Sequence, residues 1–212
     1  MPPVAILPAE RESSGLIGVT RTTWREVLQL LARDGWLTIK HGKPTKVNNF
    51  WETSGLNILE TLARLDEDGI PELVDHLLAA RTNLSAVFIR GAIRHQQDKT
   101  IEILQGYSDV PDDGKTFAQC DYQLNHDLAF ASGNPVYVLM MNGFRGLYSR
   151  IGGYYFSNQK SRDLTRSYYK QLLELAVKGD YENVPLVIRD YGIESGKIWQ
   201  ELRADMPKGL VD

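Results

Sequence analysis

Two stretches of this sequence carry side chains whose types and spacing suit recognition of another molecule. The first is Thr20-Arg21-Thr22-Thr23-Trp24-Arg25. Arginine presents a bidentate donor pair that matches the O6 and N7 edge of guanine. Threonine can bond phosphate oxygens or touch a thymine methyl. These groups reach bases only from the first turn of a helix laid in a major groove, and a helix N-terminus itself favours phosphate. Arg11, slightly upstream, could reach the backbone or a base. His41-Gly42-Lys43 is a basic turn whose glycine permits close backbone approach, as entry into a minor groove requires. Separately, the threonine–arginine run also reads as a capped, solvated helix start, and the turn as an ordinary surface turn. Their occurrence within 25 residues on one basic segment favours the joint reading.

The second stretch lies near the C-terminus. Gly192, Ser195, Gly196 and Trp199 fall at i, i+3, i+4 and i+7 and so share one helix face. Small residues leave room beside them, and the indole closes one end with a flat apolar surface. Arg145, Tyr148 and Tyr155 fall near one face of another helix, and tyrosines give apolar walls with a polar tip. Arg81 could meet a phosphate or carboxylate. A cleft so lined suits a long acyl chain with a polar head. By residue types alone, close helix packing with tyrosines at the core edge is the better reading. Enzymatic chemistry has little support: there is no glycine-rich phosphate loop, nucleophile elbow or metal-binding histidine pair. His76, His95 and His126 stand on expected helices without an evident serine or cysteine partner.

The elements that must position these groups divide in two. Pro8 opens a helix expected to end near Gly15, followed by a short apolar turn, Leu16–Val19. Thr20 caps a second helix, Thr23 and Glu26 offer an alternative capping box, and Val27, Leu28, Leu30 and Leu31 form its core-facing stripe. Gly35 reads as the residue that ends this helix. Trp36–Ile39 and Thr45–Val47 read as two short strands joined through His41–Pro44. This is a helix-turn-helix with a hairpin, the winged form, over residues 1–48, with a linker at 49–55. From 56 to 212 the apolar spacing is helical throughout, over 56–65, 71–94, 99–107, 116–132, 135–156, 161–178 and 181–206, broken firmly at Gly133-Asn134-Pro135. The fold class is therefore mainly α, a winged helix-turn-helix plus an all-helical bundle.

Charge follows the same division. Residues 1–49 hold seven basic and four acidic side chains, a net of +3, whereas the remainder carries −6. A basic head on an acidic body suits a nucleic-acid reader joined to a separate sensor. One cysteine, Cys120, excludes an intrachain disulfide and fits a reducing cytoplasm. No apolar run is long enough to span a membrane, and the N-terminus lacks a signal-peptide pattern.

Leu7-Pro-Ala-Glu-Arg-Glu, Gly18-Val-Thr-Arg-Thr-Thr and Arg25-Glu-Val-Leu resemble the signature of GntR-family winged helices. Leu31-Ala-Arg-Asp-Gly-Trp-Leu-Thr-Ile and His41-Gly-Lys-Pro-Thr-Lys-Val-Asn-Asn-Phe-Trp resemble the FadR branch of that family. The likeness continues through Ser54-Gly-Leu-Asn-Ile-Leu-Glu-Thr-Leu, Ala129-Phe-Ala-Ser-Gly-Asn-Pro and Glu194-Ser-Gly-Lys-Ile-Trp199, and so covers essentially the whole chain. It implies that Arg11, Thr20, Arg21, Thr22, Thr23, Arg25, His41, Gly42 and Lys43 contact an operator. It also implies a long-chain acyl-CoA ligand among Leu77, Arg81, Tyr148, Tyr155, Tyr191, Gly192, Glu194, Ser195, Gly196 and Trp199.

The resemblance further implies a cytoplasmic, two-fold dimer on a palindromic operator. Ligand would release it from DNA, with repression of fatty acid degradation genes and activation of unsaturated fatty acid synthesis genes. The alternative is an acyl-CoA carrier or enzyme that does not bind DNA. Related sensor domains hold a metal through one aspartate and three histidines. Here those positions are Asp121, Asn125, Tyr169 and Tyr191, a poor transition-metal set, so neither metal nor cofactor is expected. The family's head also begins with a helix before the Pro8-Ala-Glu-Arg motif. This chain starts almost at that motif, so the remaining two helices are expected to show an apolar side.

Overall fold

The computed structural model describes residues 5–65 and 69–207. They form two compact units, one ending at Ile58 and one beginning at Leu59.

In the first unit, α1 (Glu10–Ile17) packs on α2 (Arg21–Arg33). The expected stop at Gly15 is incorrect. Gly15 lies inside α1, and the helix ends at Gly18, where φ is +77° and the N–H reaches the Ser14 carbonyl at 3.0 Å. A mid-helix glycine costs only about 1 kcal/mol, so Leu16 and Ile17 complete the last turn instead of forming a loop. The Thr20 cap forms as expected: its hydroxyl accepts from Thr23 N–H at 3.2 Å. At the other end Gly35 takes φ +88°. Its N–H reaches the Ala32 carbonyl, and the Trp36 N–H reaches that of Leu31, which is the Schellman pattern. Of the expected stripe, Leu28 is buried, whereas Val27 and Leu30 are exposed together with Leu16, Ile17 and Val19.

The strands are shorter than their apolar runs. β1 (Leu37–Thr38) pairs antiparallel with β2 (Lys46–Val47). A third backbone stretch joins them: Ile6 bridges Lys46, and Val47 N–H donates to the Ala5 carbonyl at 2.8 Å. Residues 49–55, expected as a linker, instead contain a one-turn helix, α3 (Phe50–Thr53). It folds onto the head, with Phe50 5.1 Å from the Trp36 ring and Thr53 Oγ1 donating to the Gly35 carbonyl at 2.7 Å. A 3₁₀ turn, Leu56–Ile58, follows.

The second unit is an all-helical bundle: α4 (Leu59–Leu65), α5 (Ile70–His95), α6 (Gln97–Gly106), α7 (Gly114–Ala131), α8 (Pro135–Tyr155), α9 (Gln159–Lys178) and α10 (Val184–Arg203). The break at 133–135 forms as expected. Gly133 takes φ +80°, and Asn134 caps α8 through the Val136 N–H. α7 packs on α8, α10 lies between α5 and α9, and α5 also meets α7. Phe88, Phe117, Leu128, Met141, Leu172 and Ile188 form the buried core around which these helices pack. No described helix is long and apolar enough to cross a membrane.

Candidate functional site

The head presents its expected contact residues outward. Thr20, Arg21, Thr22, Thr23 and Arg25 are all exposed around the first turn of α2, and Arg11 is exposed on α1. Arg25 is held by an ion pair with Glu10, 2.9 Å apart, which ties the start of α2 to the start of α1. His41, Gly42 and Lys43 form the exposed hairpin tip. Lys43 N–H closes the turn on the Lys40 carbonyl at 3.1 Å, and Gly42 at φ +68° supplies the positive angle of a type II turn. Lys40, Lys43 and Lys46 line one concavity of the wing, so the basic side chains there share a surface.

The second unit holds two adjoining spaces. One is an open groove of about 640 Å³ between α5 and α10. Gly192, Ser195, Gly196 and Trp199 all line it, so the face inferred from their spacing exists. Opposite them are Leu78, Ala79 and Thr82 of α5. The helices approach closely here: a methyl on Gly192 would sit 2.7 Å from Thr82 Cγ2. The other space is enclosed and much smaller, about 30 Å³, enough for roughly one water-sized group. Leu77, Arg81, Tyr148, Tyr155, Tyr191, Ser195 and Trp199 line it, so seven of the ten expected ligand residues converge. One of the ten, Glu194, and one residue expected to share a helix face with the tyrosines, Arg145, lie elsewhere. Glu194 points to solvent and pairs with Lys197 at 2.6 Å, and Arg145 is exposed on α8 while Tyr148 and Tyr155 turn inward. Sequence reasoning missed Ile151, Gly152 and Phe156 on the wall, which carry no signal apart from ordinary core residues.

Beneath the enclosed space lies a buried polar cluster. Asp121 is fully buried. Its carboxylate accepts from Arg81 Nη2 at 2.8 Å, from the Tyr169 hydroxyl at 2.6 Å and from the Tyr148 hydroxyl. Burial works against the Arg81 charge, but the Asp121 carboxylate outweighs it and holds the guanidinium above its ordinary value. Tyr155 is raised to about 12 by burial, and burial likewise lifts Tyr168, Tyr169 and Tyr191 above the usual phenol range. Tyr191 stacks on Tyr168 with ring centroids 4.1 Å apart, its hydroxyl 3.0 Å from Thr165 Oγ1. Asn125 donates to the Asp121 backbone carbonyl. Of the four positions that would bear metal ligands, Asp121, Asn125 and Tyr169 thus engage one another, Tyr191 engages Thr165 and Tyr168, and the Asp121 oxygens face cationic and hydroxyl donors. No group of three or more His, Cys, Asp or Glu suited to a metal occurs among the described residues. The Arg81 Nε and Tyr155 hydroxyl are buried without a hydrogen-bond partner among the described residues.

Two families match successive parts of the chain. Residues 1–47 match the family of bacterial regulatory proteins named gntR, and residues 48–211 match the FadR C-terminal domain. A fatty acid metabolism regulator protein of Shewanella pealeana is 63% identical over 209 residues, covering 99% of this chain and 87% of the relative. Proteins of the same name from Shewanella halifaxensis and Shewanella denitrificans are each 62% identical, covering 99% of this chain and 87% and 88% of the relative. Among solved structures, Lar, which controls expression of the Listeria monocytogenes agr system, aligns with a TM-score of 0.58 at 16% identity. That alignment covers 95% of this chain and 89% of Lar, a likeness of fold.

Proposed function

The chain belongs to the GntR family of bacterial regulatory proteins and carries the FadR C-terminal domain, and from that premise we propose that it is a cytoplasmic transcription factor of fatty acid metabolism whose hold on DNA is set by long-chain acyl-CoA. It is a regulator and not an enzyme. The observation that carries the ligand reading is the pairing of an open groove with an enclosed, aromatic-walled space that shares Ser195 and Trp199. The groove has room for a polar head, and the enclosed space has the apolar walls an alkyl chain needs. In size, 30 Å³ falls far below a long acyl chain. The ligand therefore favours a conformation in which this space is open, and its differential affinity for that conformation is the regulatory signal.

Residues 1–48 act as the DNA-reading head and 56–212 as the sensor, with 49–55 between them. The two compact units support a division into head and sensor, although their boundary falls after Ile58 and residues 49–55 belong to the first unit. Arg11, Thr20 to Thr23 and Arg25 contact the major groove and backbone, and His41, Gly42 and Lys43 enter the minor groove. A palindromic operator calls for a two-fold dimer with one head per half-site. On this reading, which rests on the family resemblance, it represses fatty acid degradation genes and activates unsaturated fatty acid synthesis genes. No cofactor takes part.

The test is fluorescence anisotropy of a labelled palindromic operator duplex titrated with this protein at stated salt, followed by addition of oleoyl-CoA. Saturable binding that exceeds binding to a scrambled duplex, and that oleoyl-CoA reverses, is the expected result. Specific binding that oleoyl-CoA leaves unchanged would remove the effector, and equal binding to both duplexes would remove the head assignment.

A further inference from the structure

The indole of Trp199 lines both the groove and the enclosed space and is 2% exposed. It is the largest side chain they share, and therefore the main partition between them. Its one polar atom, Nε1, can only donate, and a buried indole N–H needs an acceptor. That acceptor lies on another helix: Nε1 donates to Asp75 Oδ1 of α5 at 2.7 Å. The other oxygen of Asp75 accepts from Arg203. Tyr154 of α8 meets the indole edge-on, with centroids 6.5 Å apart at 89°, and its hydroxyl donates to the Leu202 carbonyl at 2.9 Å. Van der Waals contact with Tyr154 limits where the ring can go. Among the described residues, it is Asp75 that accepts its N–H and so fixes which way it points.

We propose that Asp75 is a positioning residue for effector binding, acting through the Trp199 indole. This rests on the reading that the groove and enclosed space receive acyl-CoA. A carboxylate acceptor makes the bond charge-assisted and so directional and strong. Without it, the indole either buries an unsatisfied donor or rotates toward groove water. Rotation moves the wall that the chain would pack against and so weakens binding; Asp75 also lines the groove itself, and the Trp199→Phe background separates an effect passed through the indole from a direct one.

The experiment is isothermal titration of oleoyl-CoA into the whole chain, in four forms beside the parent: Asp75→Leu, Asp75→Asn, Trp199→Phe, and Asp75→Leu with Trp199→Phe. Asp75→Leu is expected to weaken binding about ten-fold, the scale of one lost charge-assisted bond. Asp75→Asn keeps an acceptor oxygen and is expected to bind within about two-fold of the parent. Phenylalanine has no N–H, so in the Trp199→Phe background Asp75→Leu is expected to cost nothing further. In 5-fluorotryptophan-labelled protein, the Trp199 resonance, assigned by its loss in Trp199→Phe, is expected to move with Asp75→Leu and stay with Asp75→Asn. If Asp75→Leu does not fold, Asp75→Ser, too short to reach the indole, carries the same test. Additive effects in the double variant, or unchanged affinity in Asp75→Leu, overturn the proposal alone. A parent chain that does not bind oleoyl-CoA overturns the effector reading and this proposal with it.

Discussion

Arg21 and Asp121 mark two extremes of how a charged residue is used. Arg21 is exposed at the first turn of α2, where its fork is free to meet a base edge. Arg21→Ala is expected to lower specific operator binding by on the order of 10- to 100-fold, the discrimination of one bidentate pair, while calorimetric acyl-CoA binding stays unchanged. Normal operator affinity in that variant would remove α2 as the reading helix. Asp121 is the reverse case, a carboxylate with no exposure that gathers Arg81, Tyr148 and Tyr169. Breaking a buried pair from one side leaves the other charge stranded, at about 3–5 kcal/mol. Asp121→Leu is expected to lose that much in urea unfolding followed by far-ultraviolet circular dichroism. The double change Asp121→Leu with Arg81→Met is expected to be less harmful than Asp121→Leu alone, because no charge is left without its partner. A double variant at least as unstable as the single one would contradict the pairing.

Helices and turns depend on a few backbone positions, and Gly35 is the most constrained in the head. Its φ is +88°, and an added methyl would lie 2.4 Å from the Thr53 carbonyl oxygen, a backbone atom that cannot step aside. Gly35→Ala is expected to destabilise the head by more than about 2 kcal/mol, since the left-handed backbone alone costs 1–2 kcal/mol. Gly18→Ala, with a similar φ but open space around it, is expected to cost about 1 kcal/mol. Trp24, Trp36 and Trp51 lie in the first unit and Trp199 in the second, so in a Trp199→Phe background tryptophan fluorescence during denaturation follows the unfolding of the head apart from that of the sensor helices. Near-equal effects of the two changes would dismiss the contact with Thr53. In the sensor, Asp112 ties the loop before α7 to α9 by accepting from Arg162 and Arg166, each at 2.8 Å. Those bonds hold its carboxyl down at about 2. A depressed carboxylate contributes stability above its unfolded value, near 3.9, and loses it as pH falls toward the folded value. The stability difference between the parent and Asp112→Asn is therefore expected to be constant from pH 5 to 8, to shrink below pH 4 and to vanish near pH 2. A difference that persists at pH 2 would assign it to packing. Much at this scale was legible in the sequence: apolar period and caps placed α8 and α9 within about two residues. The stop of α1 was not, because Gly15 and Gly18 are both glycines and the choice rests on which carbonyl the N–H reaches. Nor were the bonds from Asp75 to Trp199 or from Arg81 to Asp121, since pairing across 124 and 40 residues leaves no periodic trace.

At the scale of the whole molecule, the basic head and acidic remainder have to answer one another through free energy. The proposed function makes DNA and acyl-CoA compete for conformations of one chain. A ligand shifts such an equilibrium only by its differential affinity, so an effector that bound both conformations equally would change nothing however tight it was. The 30 Å³ of the enclosed space gives the proposed difference a physical source, since that space as it stands is too small for a long acyl chain. Thermodynamic linkage then fixes a quantity that no single titration supplies. If saturating oleoyl-CoA weakens operator binding by some factor, saturating operator must weaken oleoyl-CoA binding by the same factor, typically about 5- to 150-fold. The two factors are measured separately, by anisotropy of the operator with and without ligand and by calorimetry of the ligand with and without operator, at one salt concentration because phosphate contacts are screened. Equal factors are expected. A large effect of oleoyl-CoA on DNA binding with no reciprocal effect would mean that the ligand acts on the operator complex by another route, such as depletion of protein by ligand micelles, and that the sensor's groove is not the site of control.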